Sequence, residues 1–355
     1  MKVRYNYHLI VDKDKQRTYL NQSFGCIRKI WNLTLSEQIE YYKKHKKHLS
    51  DYDLQKELKT LRNKDEYSYL KDCPFSYLQY TLRQKYKAWN DFFAHKKGYP
   101  RFKSKWNGRQ TLTVPQNKQF KLWKINDKYS YIRLPKLNEP IKVRMDRELP
   151  SKPSSLTVIK NPDNTYEISF VLEKECKAKR KTKKSIGLKV GLRWVITGID
   201  SDNKIIQLQS EKDLKKNSRK LKRQQRKLDR KKRQAKKEKR KLGESKNYQK
   251  QRVKVAKTHS FIKRKRKDYI EKLTSLLVFL YDNIVIEDIS VKDLIKQTKK
   301  LTPRKKKRNI NRTYVDISLG LFFSKLKEKV DMYGKSIIIA DKYYKRAKIC
   351  NNCGS

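Results

Sequence analysis

Three short apolar runs, separated by long stretches of helical periodicity, constrain the fold of this chain more than any other feature. The first spans Ile186-Gly187-Leu188-Lys189-Val190 and Val195-Ile196 on either side of Gly191, directly after a basic run from Lys177 to Lys184. The β-branched residues favour strands, and Gly191 is placed for a tight turn between them. The second run, Ile284-Val285-Ile286, ends in Glu287-Asp288, and the third, Ile337-Ile338-Ile339, ends in Ala340-Asp341. Strands that end in acids and alternate with helices predict a mixed sheet whose edge can gather carboxylates around metal. Two-metal cleavage of a phosphodiester needs several carboxylates, because they hold the cations on the phosphate. Here the first strand delivers Lys189 where such a site needs an acid.

Charge narrows the partners. The chain has 355 residues, enough for two or three domains with cores of their own. Its 93 Lys and Arg against 36 Asp and Glu give a formal net charge of +57. An ordinary soluble enzyme has no use for that excess. A polyanion partner does, because each phosphate contact releases counterions and adds sequence-independent affinity. The 22 tyrosines and 11 phenylalanines interleave with the basic residues. Most are assigned to cores, and the remainder are candidates for base stacking. Five irregularly spaced cysteines, with only Cys350 and Cys353 close together, predict a reducing compartment. The N-terminus has no apolar signal segment, and no run approaches the ~20 apolar residues of a membrane span. A cytoplasmic protein without a membrane partner is expected.

Along the chain, Val3, Tyr5, Tyr7, Leu9 and Val11 alternate with polar residues, which predicts a half-buried strand. Residues 15–95 then follow helical spacing, through Leu20, Phe24, Ile27, Ile30, Trp31 and Leu35, then Leu54, Leu58 and Leu61, then Leu78, Leu82, Trp89 and Phe93. Gly98 closes the last helix, and Gly98-Tyr99-Pro100-Arg101-Phe102-Lys103-Ser104-Lys105 alternates basic and aromatic residues. Short β-like runs follow at 111–114, 131–134, 141–143, 156–160 and 166–172, with a turn at Asn161-Pro162-Asp163-Asn164. Rejoining the first strand to these gives a small barrel with the helices inserted. Residues 212–241 hold 18 Lys and Arg against three acids, with Leu214, Leu221 and Leu228 every seven residues. That is a basic helix with one thin apolar seam. Gly243 breaks it before a second helix over 245–282. Such a run can be a merely solvated face, but its self-repulsion favours a polyanion partner.

These segments resemble TnpB, the transposon-encoded RNA-guided nucleases related to type V CRISPR effectors. The resemblance rests on Phe24-Gly25-Cys26-Ile27-Arg28-Lys29-Ile30-Trp31-Asn32-Leu33, the Gly98-to-Lys105 stretch, Leu134-Pro135-Lys136-Leu137, Gln225-Arg226-Lys227-Leu228-Asp229-Arg230, Ile284 to Val291, and Cys350-Asn351-Asn352-Cys353-Gly354. It implies an α/β multidomain protein. A wedge-type β-barrel would occupy 1–12 and 98–178, with a helical recognition domain inserted at 13–97. A RuvC, or RNase H-like, domain would follow at 183–355, truncated at its C-terminus. It would carry a helical hairpin at 211–282 and a vestigial half zinc ribbon at 348–355. The implied partners are a guide RNA and double-stranded target DNA opened into an R-loop, held by a monomeric ribonucleoprotein.

The resemblance also implies roles for particular residues. Arg101, Phe102, Lys103 and Lys105 would clamp the guide scaffold, with Lys222, Arg223, Arg226 and Lys227 on phosphates. Tyr52, Gln55, Ser76, Tyr77, Gln79 and Tyr80 would read a short flanking motif, with Tyr77 and Gln79 foremost. The family's first catalytic Asp falls at Lys189, its second-motif Glu is Glu287, and its third Asp lies beyond Ser355. One carboxylate and an ammonium do not hold two magnesium ions, and Cys350 with Cys353 is half of a four-ligand zinc site. No catalytic magnesium, no intact zinc site and no cofactor beyond the guide are therefore expected. Lys189 and Glu287 are expected to pair, and Lys189→Asp alone is expected not to restore cleavage. The combination resembles the TnpB-like nuclease-dead repressors (TldR), which bind target DNA and block transcription by occupancy. Two other readings stay open. One is an active nuclease using Asp200, Asp202 or Asp288, and the other a transposon relic that binds RNA nonspecifically.

Overall fold

The computed structural model describes residues 1–105, 108–176, 178–190, 196–208, 212–287 and 318–340, and the chain divides into two compact units, Met1–Lys174 and Glu175–Ser355. In the first unit the alternating N-terminal residues form β1 (Lys2–Ile10), with Val3, Tyr7 and Leu9 buried. The strand sits in the middle of a seven-stranded sheet of order β2-β6-β7-β1-β5-β4-β3. Its other members are β2 (Gln110–Val114), β3 (Lys121–Asn126), β4 (Tyr129–Arg133), β5 (Ile141–Arg144), β6 (Ser155–Lys160) and β7 (Tyr166–Glu173). Every pairing within it is antiparallel.

The expected barrel is corrected here, because no ladder joins the two outermost strands, β2 and β3, among the described residues. The flank of β2 packs instead against two helices, α1 (Asp14–His45) and α3 (Phe75–Phe93). Sequence periodicity missed β3 because it lies at the sheet edge with four consecutive exposed residues, so it has no alternating face to detect.

Helix α1 runs 32 residues and buries Leu20, Phe24, Ile27, Ile30, Trp31 and Leu35, the three-and-four stripe of the sequence. It ends at Lys46 in the left-handed conformation, whose N–H bonds the Tyr42 carbonyl. Helix α2 (Asp51–Asn63) opens with a capping box between Ser50 and Asp53, and a 3-10 helix (Asp65–Lys71) leads on to α3.

In the second unit five strands order as β10-β9-β8-β11-β12. They are β8 (Ser185–Val190), β9 (Ile196–Asp200), β10 (Ile205–Leu208), β11 (Asn283–Glu287) and β12 (Ser336–Ala340). The first three pair antiparallel, and β8, β11 and β12 pair parallel. This is the mixed sheet that the three apolar runs predict. Helices α5 (Lys246–Leu280) and α6 (Leu319–Tyr333) cover one face, and their Ile270, Leu273, Leu277, Phe322 and Leu326 share a core with Ile186, Leu188 and Ile284. Gly198 leaves room for that packing: a Cβ would stand 2.9 Å from the Ile186 and Leu188 side chains, which would have to shift to admit it. Helix α4 (Lys212–Lys237) lies alongside α5, completing a long helical hairpin.

Candidate nucleic-acid interface

Leu188 and Ile286 are register partners on parallel strands, and both contribute to the core. The next residues, Lys189 and Glu287, therefore lie side by side on the opposite face of the sheet. Lys189 is exposed and Glu287 half-buried. The expected pairing is corrected, because the ion pairs of the described residues do not include Lys189 with Glu287. An exposed lysine gains little from such a pair and gives up side-chain entropy to hold it.

Two of the acids proposed as substitutes lie elsewhere. In the β8–β9 ladder Lys189 faces Thr197 while Asp200 faces Ile186, three residues and about 10 Å back along the strand. Asp200 accepts from the N–H groups of Asp202 (3.0 Å) and Lys204 (2.8 Å) and from the Tyr281 hydroxyl (3.2 Å). Those bonds, the Lys204 N–H above all, hold its carboxyl below the ordinary range. Asp202 pairs with Lys184. Asp288, Cys350 and Cys353 lie outside the described residues.

In the hairpin, α4 presents Lys222, Arg223, Arg226 and Lys227, all exposed. Its seam against α5 is thin, with Leu221 and Leu228 half-buried and Ala235 buried. Polar contacts supply much of the rest: Gln251 Nε2 donates to the Gln224 carbonyl (3.1 Å) and Thr258 Oγ1 to Gln224 Oε1 (2.7 Å). The arrangement turns a row of cations outward at fixed helical spacing, suited to phosphates and to no particular base.

The basic-aromatic loop is pinned to α1. Asn32 bonds both backbone groups of Lys103, accepting from its N–H at 2.7 Å and donating to its carbonyl at 2.9 Å. Trp31 Nε1 donates to the Arg101 carbonyl (3.0 Å). Arg101 and Phe102 are left exposed and line a cleft of about 300 Å³ together with Arg28 and Arg109, and Lys105 is exposed beyond its lining. Lys103, by contrast, is turned in against α1. Its ammonium lies 3.7 Å from the Trp31 ring centroid, and burial lowers its pKa to about 8. Arg28 and Arg109 escaped the sequence reading, although Arg28 stands inside the Phe24-to-Leu33 segment.

The flanking-motif candidates separate. Tyr52 is 77 % exposed, and Gln55, Ser76, Gln79 and Tyr80 are half-buried on α2 and α3. Gln79 Nε2 donates to Gln55 Oε1 (3.4 Å), and Gln55 Nε2 to Asp51 Oδ2 (2.7 Å). Tyr77 is corrected from base reader to core residue. It is 1 % exposed, its hydroxyl is 3.1 Å from that of Tyr19, and burial raises its pKa well above the tyrosine norm. It falls on the same buried stripe of α3 as Leu78 and Leu82, a choice of helix face that composition alone leaves open.

Comparison with known proteins adds a second kind of observation. Residues 167–298 match the OrfB/IS605 family model described as a probable transposase, and residues 1–47 match a model described as a helix-turn-helix domain. The latter stretch forms a strand and a single long helix here. The chain is 26 % identical over 344 residues to a putative RNA-guided DNA endonuclease of Streptomyces pristinaespiralis, covering 96 % of this chain and 78 % of the relative. It is 27 % identical over 283 residues to the putative RNA-guided DNA endonuclease InsQ of Escherichia coli K12, covering 79 % and 65 %. Among solved structures, Cas12f1 in complex with sgRNA and target DNA shares the fold at TM-score 0.57 and 14 % identity, over 97 % of this chain and 76 % of that one. The similarity is to TnpB/IS605-type transposase-like proteins with RNA-guided endonuclease relatives.

Proposed function

We propose that this chain, similar to IS605-type transposase-like proteins and to RNA-guided endonucleases, is a nuclease-dead, RNA-guided DNA-binding protein. It uses a guide RNA to bind target DNA as an R-loop beside a short flanking motif, and represses transcription by occupying the site. One observation carries the reading: Lys189, an exposed ammonium beside Glu287 at the carboxyl ends of adjacent parallel strands. In two-metal cleavage, facing carboxylates hold cations that activate water and stabilise the leaving oxygen. At this edge an ammonium repels a cation where a carboxylate would hold it. Asp200 is committed to backbone N–H groups, and Asp202 to Lys184.

The remaining parts then have roles in binding. The α4 face neutralises phosphates, Arg101, Phe102 and Lys105 grip the guide, and Gln55, Gln79 and Tyr52 read the duplex motif. Base pairing by the guide supplies the rest of the sequence recognition. The particle is a monomeric ribonucleoprotein.

A second reading, an active endonuclease, is favoured by the names of the relatives. Two measurements on the purified protein separate these. Sequencing its copurified RNA should give one defined species, whereas heterogeneous RNA would indicate a relic that binds without guidance. Incubating that complex with matched DNA in magnesium should protect the target without cutting it. Cutting would overturn the nuclease-dead reading and leave RNA guidance standing.

A further inference from the structure

The second unit has a cleft of about 850 Å³ that the roles above leave unused. It lies at the end of the sheet opposite Lys189 and Glu287, where β8 begins and β9 ends. Lys179, Arg180, Lys181, Lys184 and Lys204 line it, and so does Phe279, which is 62 % exposed at the last turn of α5.

The basic wall is a held segment. Thr182 and Lys183 donate their backbone N–H groups to Asp282 Oδ2 at 2.7 and 2.6 Å. Asp282 in turn pairs with Lys335, which is almost wholly buried and also donates to the Arg180 carbonyl at 2.9 Å. The Lys335 ammonium and the two N–H groups hold the Asp282 carboxyl far below its usual range. Lys179 N–H bonds the Tyr333 carbonyl (3.1 Å), and its ammonium lies 4.4 Å from the Tyr333 ring centroid and 5.5 Å from that of Phe279. The acids beside the cleft do not cancel its charge. Asp202 is matched by Lys184, and Asp200, kept ionised by its N–H and hydroxyl donors, is outnumbered by Lys179, Arg180, Lys181 and Lys204.

A duplex hides its base faces, so an exposed ring among ordered cations fits a single strand, with a base on the ring and phosphates on the charges. We propose that this cleft binds single-stranded nucleic acid, with Phe279 stacking a base and Lys179, Arg180, Lys181 and Lys204 holding the adjoining phosphates. The assignment rests on the reading of the chain as an RNA-guided binder, and adds to it a site away from the carboxylate edge.

The test uses the full chain carrying Lys222, Arg223, Arg226 and Lys227→Gln, which removes competition from the α4 face. Affinities are measured for fluorescein-labelled oligouridylate, oligothymidylate and an RNA duplex of equal length. Phe279→Leu, which keeps the bulk and discards the π face, should weaken the single strands by about fivefold or more and leave the duplex unchanged. Phe279→Trp should retain single-strand affinity, with its emission quenched on binding. Lys179, Arg180 and Lys181→Gln should lower the single-strand salt slope by about 0.7 for each phosphate no longer held. The ratio of oligouridylate to oligothymidylate affinity tells whether RNA or displaced DNA is the strand. Unchanged single-strand affinity in Phe279→Leu, an equal loss for the duplex, or stronger binding of polyglutamate than of either oligonucleotide would overturn the proposal. If Phe279→Leu is silent while the protein still copurifies with one defined RNA, the cleft fails and RNA guidance survives.

Discussion

Lys85 is a charged side chain buried in the first unit. It is fully buried, and its ammonium donates to the Thr34 carbonyl (3.0 Å) and Gln38 Oε1 (3.1 Å), tying α3 to α1. Desolvation lowers its pKa to about 8, against the pull of Glu37, Glu57 and Asp51. Lys85→Met should cost about 3 kcal/mol in urea unfolding, because both acceptors lose their donor and the acids their counter-charge. A loss near zero would mean the cation is dispensable. Glu37 is the complementary case. Burial and the neighbouring charge of Glu57 raise its pKa from 4.5 to about 7, with Lys85 opposing and Glu40 reinforcing. A carboxyl whose folded pKa is raised contributes stability that is full below about pH 4.5 and is lost as pH rises through about 7. Glu37→Gln should therefore flatten the stability profile across that window and raise the melting temperature at pH 8. Identical profiles for both proteins would refute the assignment.

At the scale of elements, the α4–α5 hairpin shows how a helix of such charge is kept in place. Its seam offers few apolar side chains, so Gln224, Gln251 and Thr258 take on part of the pairing. The row of Lys222, Arg223, Arg226 and Lys227 is left exposed. Replacing Lys222, Arg223, Arg226 and Lys227 with Gln should weaken every guide and target alike, and flatten the salt dependence by roughly 0.7–0.9 for each phosphate released. An unaltered slope would make the row a solvated face. A loss confined to one target sequence would make it a reader of bases. The hairpin was legible in the sequence, since Leu221, Leu228 and Gly243 mark the seam and the break. Edge strand β3 was not legible, because Lys121, Trp123 and Lys124 have no buried face to alternate with.

At the scale of the whole molecule, the first unit is closed by its own ends: the Met1 ammonium donates to the Lys174 carbonyl at 3.0 Å, beside the β1–β7 ladder. A fragment of residues 1–174 should accordingly fold alone and melt cooperatively by circular dichroism, and a gradual, featureless melt would count against that autonomy. The local periods follow from the order of the amino acids: the alternation of β1, the stripe of α1, the three apolar runs of the second sheet and the net charge of +57. Each period is set by neighbours within a few turns of chain, where side-chain spacing and backbone geometry decide the outcome. Packing between distant segments settled that the seven-stranded sheet stays open and that α1 and α3 flank β2. It also turned Tyr77 inward onto Tyr19, laid Lys103 on Trp31, and set Lys189 beside Glu287 without joining them in an ion pair. These outcomes depend on which distant residues share a face, and on whether burial or water claims the charge that lies between them.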